Sequence, residues 1–165
     1  MGQGGAVPDL KSKSGMTDAA QKRPRIVLAD DHPELLVEIG RRLAVEFDVL
    51  SSVSEGFALV RAASELNPDV VISDISMPRL TGIEACRQIL QGGFSKNAIL
   101  LTMYDDPELV RSALEVGIRG YVLKEDAGEE LVSAVKMVLI GHTYLSRRVL
   151  KKWTPQACGT VWRAL

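Results

Sequence analysis

The sequence predicts an α/β fold, a doubly wound five-stranded parallel sheet in the order 2-1-3-4-5, and three observations predict it. Short β-branched runs alternate five times with helical patterns between Arg25 and Gly141, which builds a parallel sheet with helices on both faces. At 165 residues the chain suits one domain with modest appendages. Asp, Thr or Lys stands at the end of four of the five runs, on the side where such sheets bind ligands.

Each element has its own justification. "RIVLAD" (25–30) reads as the first strand and "PELLVEIGRRLAVE" (33–46) as a helix, with Leu35, Leu36, Ile39 and Leu43 on one face and Pro33 in the first turn. "DVLSSVS" (48–54) is the second strand, and "EGFALVRAASELN" (55–67) a helix ended by Asn67-Pro68. "DVVISD" (69–74) is the third strand, which Pro78 forces to stop near Asp74. "GIEACRQILQ" (82–91) is the third helix, with Gly92-Gly93 behind it. "AILLTM" (98–103) and "RGYVLK" (119–124) are the last strands; "PELVRSALEV" (107–116), ended by Gly117, and "GEELVSAVKMVLIG" (128–141) are the last helices. Residues 1–24, rich in Gly, Ser, Lys and Ala without periodicity, read as a disordered leader.

Composition excludes several classes. No apolar stretch is long enough to span a bilayer, and the N-terminus lacks the apolar core of a secretory signal. Two cysteines, Cys86 and Cys158, make neither a disulfide framework nor a metal-ligand spacing, which fits a reducing cytosol. The net charge of −1 hides an acidic middle, with nineteen acids against ten bases over 26–146, between basic ends. A body this acidic is not expected to bind DNA alone, since phosphate neutralisation needs Lys and Arg. It suits a divalent cation instead.

The predicted strand order gathers Asp30, Asp31, Asp74, Thr102 and Lys124 at one rim. Taken singly, each has an ordinary explanation: a helix cap, a turn acid, a good strand former, a solvated lysine. Together they form a pattern. Two carboxylates about 5 Å apart repel by roughly 3 kcal/mol at an effective dielectric of 20, so three need a cation or a retained proton. Mg²⁺ meets that need because it accepts one or two carboxylates and keeps waters that a phosphate can replace. A carboxylate nucleophile, a hard cation, a lysine and a hydroxyl make a phosphoryl-transfer site. His32 reads as a helix-start residue, His142 as easing a helix dipole, and Cys86 as packing.

The strings "VLADDHPELL", "DVVISDISMPRLTGIEACRQI", "ILLTMYDD" and "ALEVGIRGYVLKEDAGEELVSAV" resemble the receiver domain of bacterial two-component response regulators, and most closely the NarL/FixJ (LuxR-type) subfamily. The likeness covers about residues 25–146, and the separations from Asp31 to Asp74, Thr102 and Lys124 agree with that family. It implies a flavodoxin-like, CheY-like fold and a cytoplasmic bacterial protein. It implies that Asp74 accepts phosphate from a sensor histidine kinase. Mg²⁺ would be held by Asp31 and Asp74, by Asp30 through water, and by the Ser76 backbone carbonyl. Lys124 would pair with the phosphoryl group, Thr102 and Tyr121 would be the switch pair, and Met103 and Tyr104 would govern access to the acceptor. By the same resemblance, the peptide bond at the position of Lys124 and Glu125 would be cis in many relatives, with Glu125 standing where other subfamilies have proline.

The resemblance also implies that the surface of helix four, strand five and helix five changes on phosphorylation. Val132, Leu139 and Ile140 in helix five exceed what core packing needs, which marks a homodimer or partner surface. Relatives usually carry a DNA-binding domain, for which residues 147–165 are too few; that segment reads as a basic, linker-like tail. A truncated regulator and a stand-alone scaffold working without phosphorylation are the alternatives. A haloacid-dehalogenase-type phosphohydrolase would need an acid where Ser76 stands. A flavodoxin-like cofactor carrier would need a phosphate loop where "ADDHPE" would repel phosphate. The reading is a switch, not an enzyme acting on a separate substrate.

Overall fold

The computed structural model describes residues 22–153. The leader expected over 1–24 falls almost wholly outside the described residues, as do residues 154–165 of the expected tail, including Cys158. Strands β1 (Arg25–Ala29), β2 (Asp48–Val53), β3 (Val70–Ser73), β4 (Ala98–Thr102) and β5 (Gly120–Leu123) lie parallel in the order β2-β1-β3-β4-β5. The predicted order is therefore the observed one. A two-residue strand, β6 (Tyr144–Leu145), extends the sheet beside β5. The helices are α1 (Pro33–Leu43), α2 (Gly56–Leu66), α3 (Gly82–Gly92), α4 (Pro107–Glu115), α5 (Ala127–Leu139) and α6 (Arg147–Lys152).

The strands alternate residue by residue between two cores, as the pleat requires. Val27, Val71, Leu100 and Tyr121 pack on one face with residues of α2, α3, α4 and α6. Ile26, Ile72, Ile99 and Val122 pack on the other face with residues of α1 and α5. Because both faces are covered, the strands read as apolar runs rather than as alternating patterns. Each fully buried Leu or Ile contributes about 1.5–3 kcal/mol relative to exposure.

Local chemistry sets the helix ends. Thr81 caps α3 by accepting from the Glu84 amide at 3.3 Å, and Asp106 caps α4 by accepting from the Glu108 amide at 2.9 Å, with Pro107 at the first helical position. Asn67 (φ 45°) and Gly93 (φ 71°) close α2 and α3 in the left-handed conformation. Helix α1 ends at Leu43 rather than at residue 46, because a turn there buries Phe47, whose amide donates to Leu43 O.

Three details refine the sequence reading. Of the three apolar residues singled out on α5, Val132 and Leu139 pack against the core, and only Ile140 stands out, at 69% exposed. No peptide bond among the described residues is cis, so the bond between Lys124 and Glu125 is trans. The first six residues of the expected basic tail are helical, as α6, with Val149 buried.

Candidate functional site

The backbone ladder continues one residue past the carboxyl ends of β1 and β3, and this places two acids side by side. Ala29 faces Ser73 in the register. The next amides bond onward, Asp30 N to Val53 O at 3.1 Å and Asp74 N to Ala29 O at 2.8 Å. Both side chains are thereby delivered to the rim while nearly enclosed, Asp30 at 2% and Asp74 at 4% exposure. Asp31 follows on the solvent side. Behind Asp74 the chain must turn close against its own backbone. Gly82 N donates to Ile75 O at 2.9 Å, and a Cβ on Gly82 would lie 1.8 Å from Asp74 O. Only glycine fits there.

Lys124, at the end of β5, lies across these acids. Its ammonium is 2.7 Å from Asp30 Oδ2 and 3.1 Å from Asp74 Oδ2. Burial alone would lower the Lys124 pKa, but the hydrogen bonds to Asp30 and Asp74 outweigh it and hold the ammonium above its ordinary value. Asp74 shows the converse balance. Burial raises its pKa, and the Lys124 hydrogen bond and charge offset only part of that rise. The Ile75 amide donates to Asp74 Oδ1 at 2.7 Å and fixes the carboxylate plane.

Thr102 is fully buried at the end of β4, and its Oγ1 accepts from the Tyr104 amide at 3.3 Å. The Tyr121 ring is 1% exposed, and its hydroxyl donates to the Tyr104 carbonyl at 2.7 Å. Tyr121 is therefore already turned inward, with its phenol bonded to the loop that follows Thr102. The Ser76 hydroxyl donates to the Tyr104 phenol oxygen at 3.3 Å, so Tyr104 bridges the loops after β3 and β4. Met103 is 63% exposed and, with His32, Glu34, Leu35, Glu38, Lys124 and Glu125, lines an open cleft beside the acids.

The sequence reading left one residue out of the cluster. His32 starts α1 as expected, but its side chain makes no capping bond. Its Nδ1 instead sits 2.9 Å from Asp30 Oδ1 and 2.8 Å from Asp31 Oδ1. The hydrogen bond with Asp30 and the charge of Asp31 raise its pKa. Adjacency to two strand-end acids was the available signal. Ligand atoms of Asp30, Asp31, His32 and Asp74 all lie within 4.8 Å of one another. This set is dominated by hard carboxylate oxygens, two of them from nearly enclosed groups, and it fits a small divalent ion with oxygen preference.

Comparison with known proteins agrees with this geometry. The family model described as "Response regulator receiver domain" matches residues 26–136. The transcriptional regulatory protein DegU of Brevibacillus brevis is 34% identical over 131 residues, covering 78% of this chain and 56% of its own length. Among solved structures, a LuxR-family two-component response regulator from Aurantimonas sp. SI85-9A1 aligns with a TM-score of 0.71 at 32% identity, over 78% of this chain and 94% of that one. The isolated REC domain of RcsB from Salmonella enterica serovar Typhimurium, solved with phosphomimetic beryllofluoride, aligns with a TM-score of 0.71 at 27% identity, over 78% of this chain and 97% of that one. The chain spans 56–61% of the length of the first curated relatives it matches. With a carboxylate-lysine rim at the ends of a 2-1-3-4-5 sheet and a match over most of its length, the chain belongs to the response regulator receiver domain family, among LuxR/NarL-type relatives.

Proposed function

We propose that the chain is a phosphoacceptor switch in which Asp74 takes a phosphoryl group from a phosphohistidine of a sensor kinase. The observation that carries this reading is the Lys124 ammonium, held within 3.1 Å of a nearly enclosed Asp74 and 2.7 Å from Asp30. An Asp74 Oδ atom attacks phosphorus, the phosphorus–nitrogen bond breaks, and the imidazole keeps its electron pair. The product is an acyl phosphate on Asp74. Asp74 reacts as the carboxylate, so the neighbouring ammonium, which favours its ionised form against burial, also prepares the nucleophile. Lys124 then faces the transferred oxygens.

Asp31 and Asp74, with Asp30 acting through water and the Ser76 carbonyl, would hold Mg²⁺, whose chemistry here is to neutralise charge on the phosphoryl oxygens. The Thr102 hydroxyl is one residue from the loop that bonds Tyr121. The Thr102 hydroxyl could donate to a phosphoryl oxygen while still accepting from the Tyr104 amide, which would draw that loop along with it. The loop that holds Tyr121 inward would move with it, which links the acceptor to α4, β5 and α5. A downstream partner, or a second copy of the chain, would read that face. Met137 and Ile140 are exposed on or just after α5 and are available to either. Met103 and Tyr104 would limit which donors reach the acceptor.

The test is intact-mass analysis after treatment with a small phosphodonor and Mg²⁺, comparing the parent with Asp74→Asn. The parent gains one phosphoryl group and the variant gains none. Modification at equal yield in both would remove the assignment.

A further inference from the structure

Helix α6 carries Arg147, Arg148, Lys151 and Lys152, and two of these cations reach acids on loops of the acceptor rim. Lys152 pairs with Asp105, in the loop that starts after Thr102 and carries Tyr104. Arg148 pairs with Glu125, and its Nε lies 3.3 Å from Asp126 Oδ1, directly after Lys124. Between these contacts Val149 is 1% exposed, in the same core cluster as Tyr121 and Leu123, and Trp153 packs against that cluster. Upstream, Glu130 is a buried acid on α5. It accepts from the Tyr144 hydroxyl at 3.0 Å and lies 3.5 Å from the Arg147 amide, tying β6 and the start of α6 to the body.

Exposed ion pairs usually contribute little, because two long side chains must be ordered to form them. Here the buried Val149 already seats the helix, so the two pairs join an element in place to the loops and act on both. The loops they hold are those bearing Tyr104 and Lys124, on either side of the strand that carries Tyr121.

We propose that helix α6 is a strap, with Lys152 and Arg148 as positioning residues for the Tyr104 and Lys124 loops, so that docking of α6 and occupation of Asp74 favour each other. This rests on the phosphoacceptor reading above. Coupling of this kind is reciprocal. The strap strengthens binding at the acceptor, and filling the acceptor steadies the strap.

The experiment titrates the full chain with beryllofluoride and Mg²⁺ by calorimetry, for the parent, Lys152→Glu, and the charge swap Asp105→Lys with Lys152→Glu. Lys152→Glu is expected to weaken binding roughly three- to fivefold, the scale of an exposed pair replaced by like charges, and the swap to recover most of it. Lys152→Arg retains parental affinity. Hydrogen exchange across 147–152 slows when the parent is loaded and stays unchanged in Asp74→Asn. Parental affinity in Lys152→Glu, no recovery on swapping, or unaltered exchange in α6 overturns the strap and leaves the acceptor reading standing. A parent that takes up no beryllofluoride overturns both.

Discussion

Replacing Lys124 with Met removes the cation between two nearly enclosed carboxylates while keeping a side chain of similar length. The ammonium lies 2.7 Å from Asp30 and 3.1 Å from Asp74. Breaking a buried pair by removing one partner costs about 3–5 kcal/mol when the remaining charge is left uncompensated. Two features of this site reduce that figure. The cluster opens to water beside Asp31, and Asp74 can take up a proton, at about 1.4 kcal/mol per unit by which its pKa must rise. We therefore expect about 2–3 kcal/mol at neutral pH. The pH dependence has a definite sign. Burial holds the Asp74 pKa above its ordinary 3.8, and losing Lys124 raises it further. A carboxyl with a raised folded pKa contributes stability that is full below the unfolded value and lost as pH rises through the folded one. The deficit of Lys124→Met relative to the parent should therefore be small near about pH 4 and grow towards neutrality. Urea unfolding of both proteins at acid and neutral pH measures it, and millimolar Mg²⁺ should narrow the neutral-pH gap. A variant with the parental midpoint at neutral pH, or with a deficit independent of pH, would refute the reasoning.

Two further outcomes follow from the same rim. Gly82→Ala drives a methyl group into Asp74 O at 1.8 Å; backbone cannot yield as a flexible side chain can, so the loss of stability should reach about 3 kcal/mol, the upper end for overpacking, measured by denaturant midpoint alongside reduced phosphodonor uptake. Met103→Ala opens the cleft beside Lys124 and should speed uptake from acetyl phosphate without altering unfolding; equal rates in parent and variant would remove Met103 from control of access.

The sheet was legible because its two covered faces turn strands into apolar runs such as "VVIS", and because Pro33, Pro68, Pro107 and the glycines mark where elements begin and stop. The rim was legible because a topology rule assigns function to strand ends, and four of those ends carry Asp, Thr or Lys. The C-terminal end of the fold was not. A two-residue strand such as Tyr144–Leu145 has no period to detect; backbone bonds to Arg119 and Tyr121 place it. Helix α6 reads as a run of cations, and its seat depends on one buried valine and on Asp105, Glu125 and Asp126 from other loops. The side-chain contacts of His32 were hidden for a related reason. A residue before proline at a helix start has a sufficient local role, and only the third dimension shows Asp30 and Asp31 closing on its ring.

The same contacts separate what folds the rim from what lets it react. Lys124 bridges Asp30 and Asp74, and His32 hydrogen-bonds at the same rim, so the cluster supplies part of its own counter-charge through the lysine. The fold should therefore stand without a divalent ion. Phosphorylation of Asp74 would change that balance, because Asp74 would give up its carboxylate charge and the site would receive a group carrying about −1.5 to −2. Lys124 cannot offset that group and stay fully engaged with Asp30. The single ammonium that eases Asp30 and Asp74 is then too little, and the shortfall grows when phosphoryl arrives. Phosphoryl uptake by the parent should consequently depend steeply on Mg²⁺ while its unfolding hardly does. In Lys124→Met the two dependences converge, because the same missing cation is then needed for both.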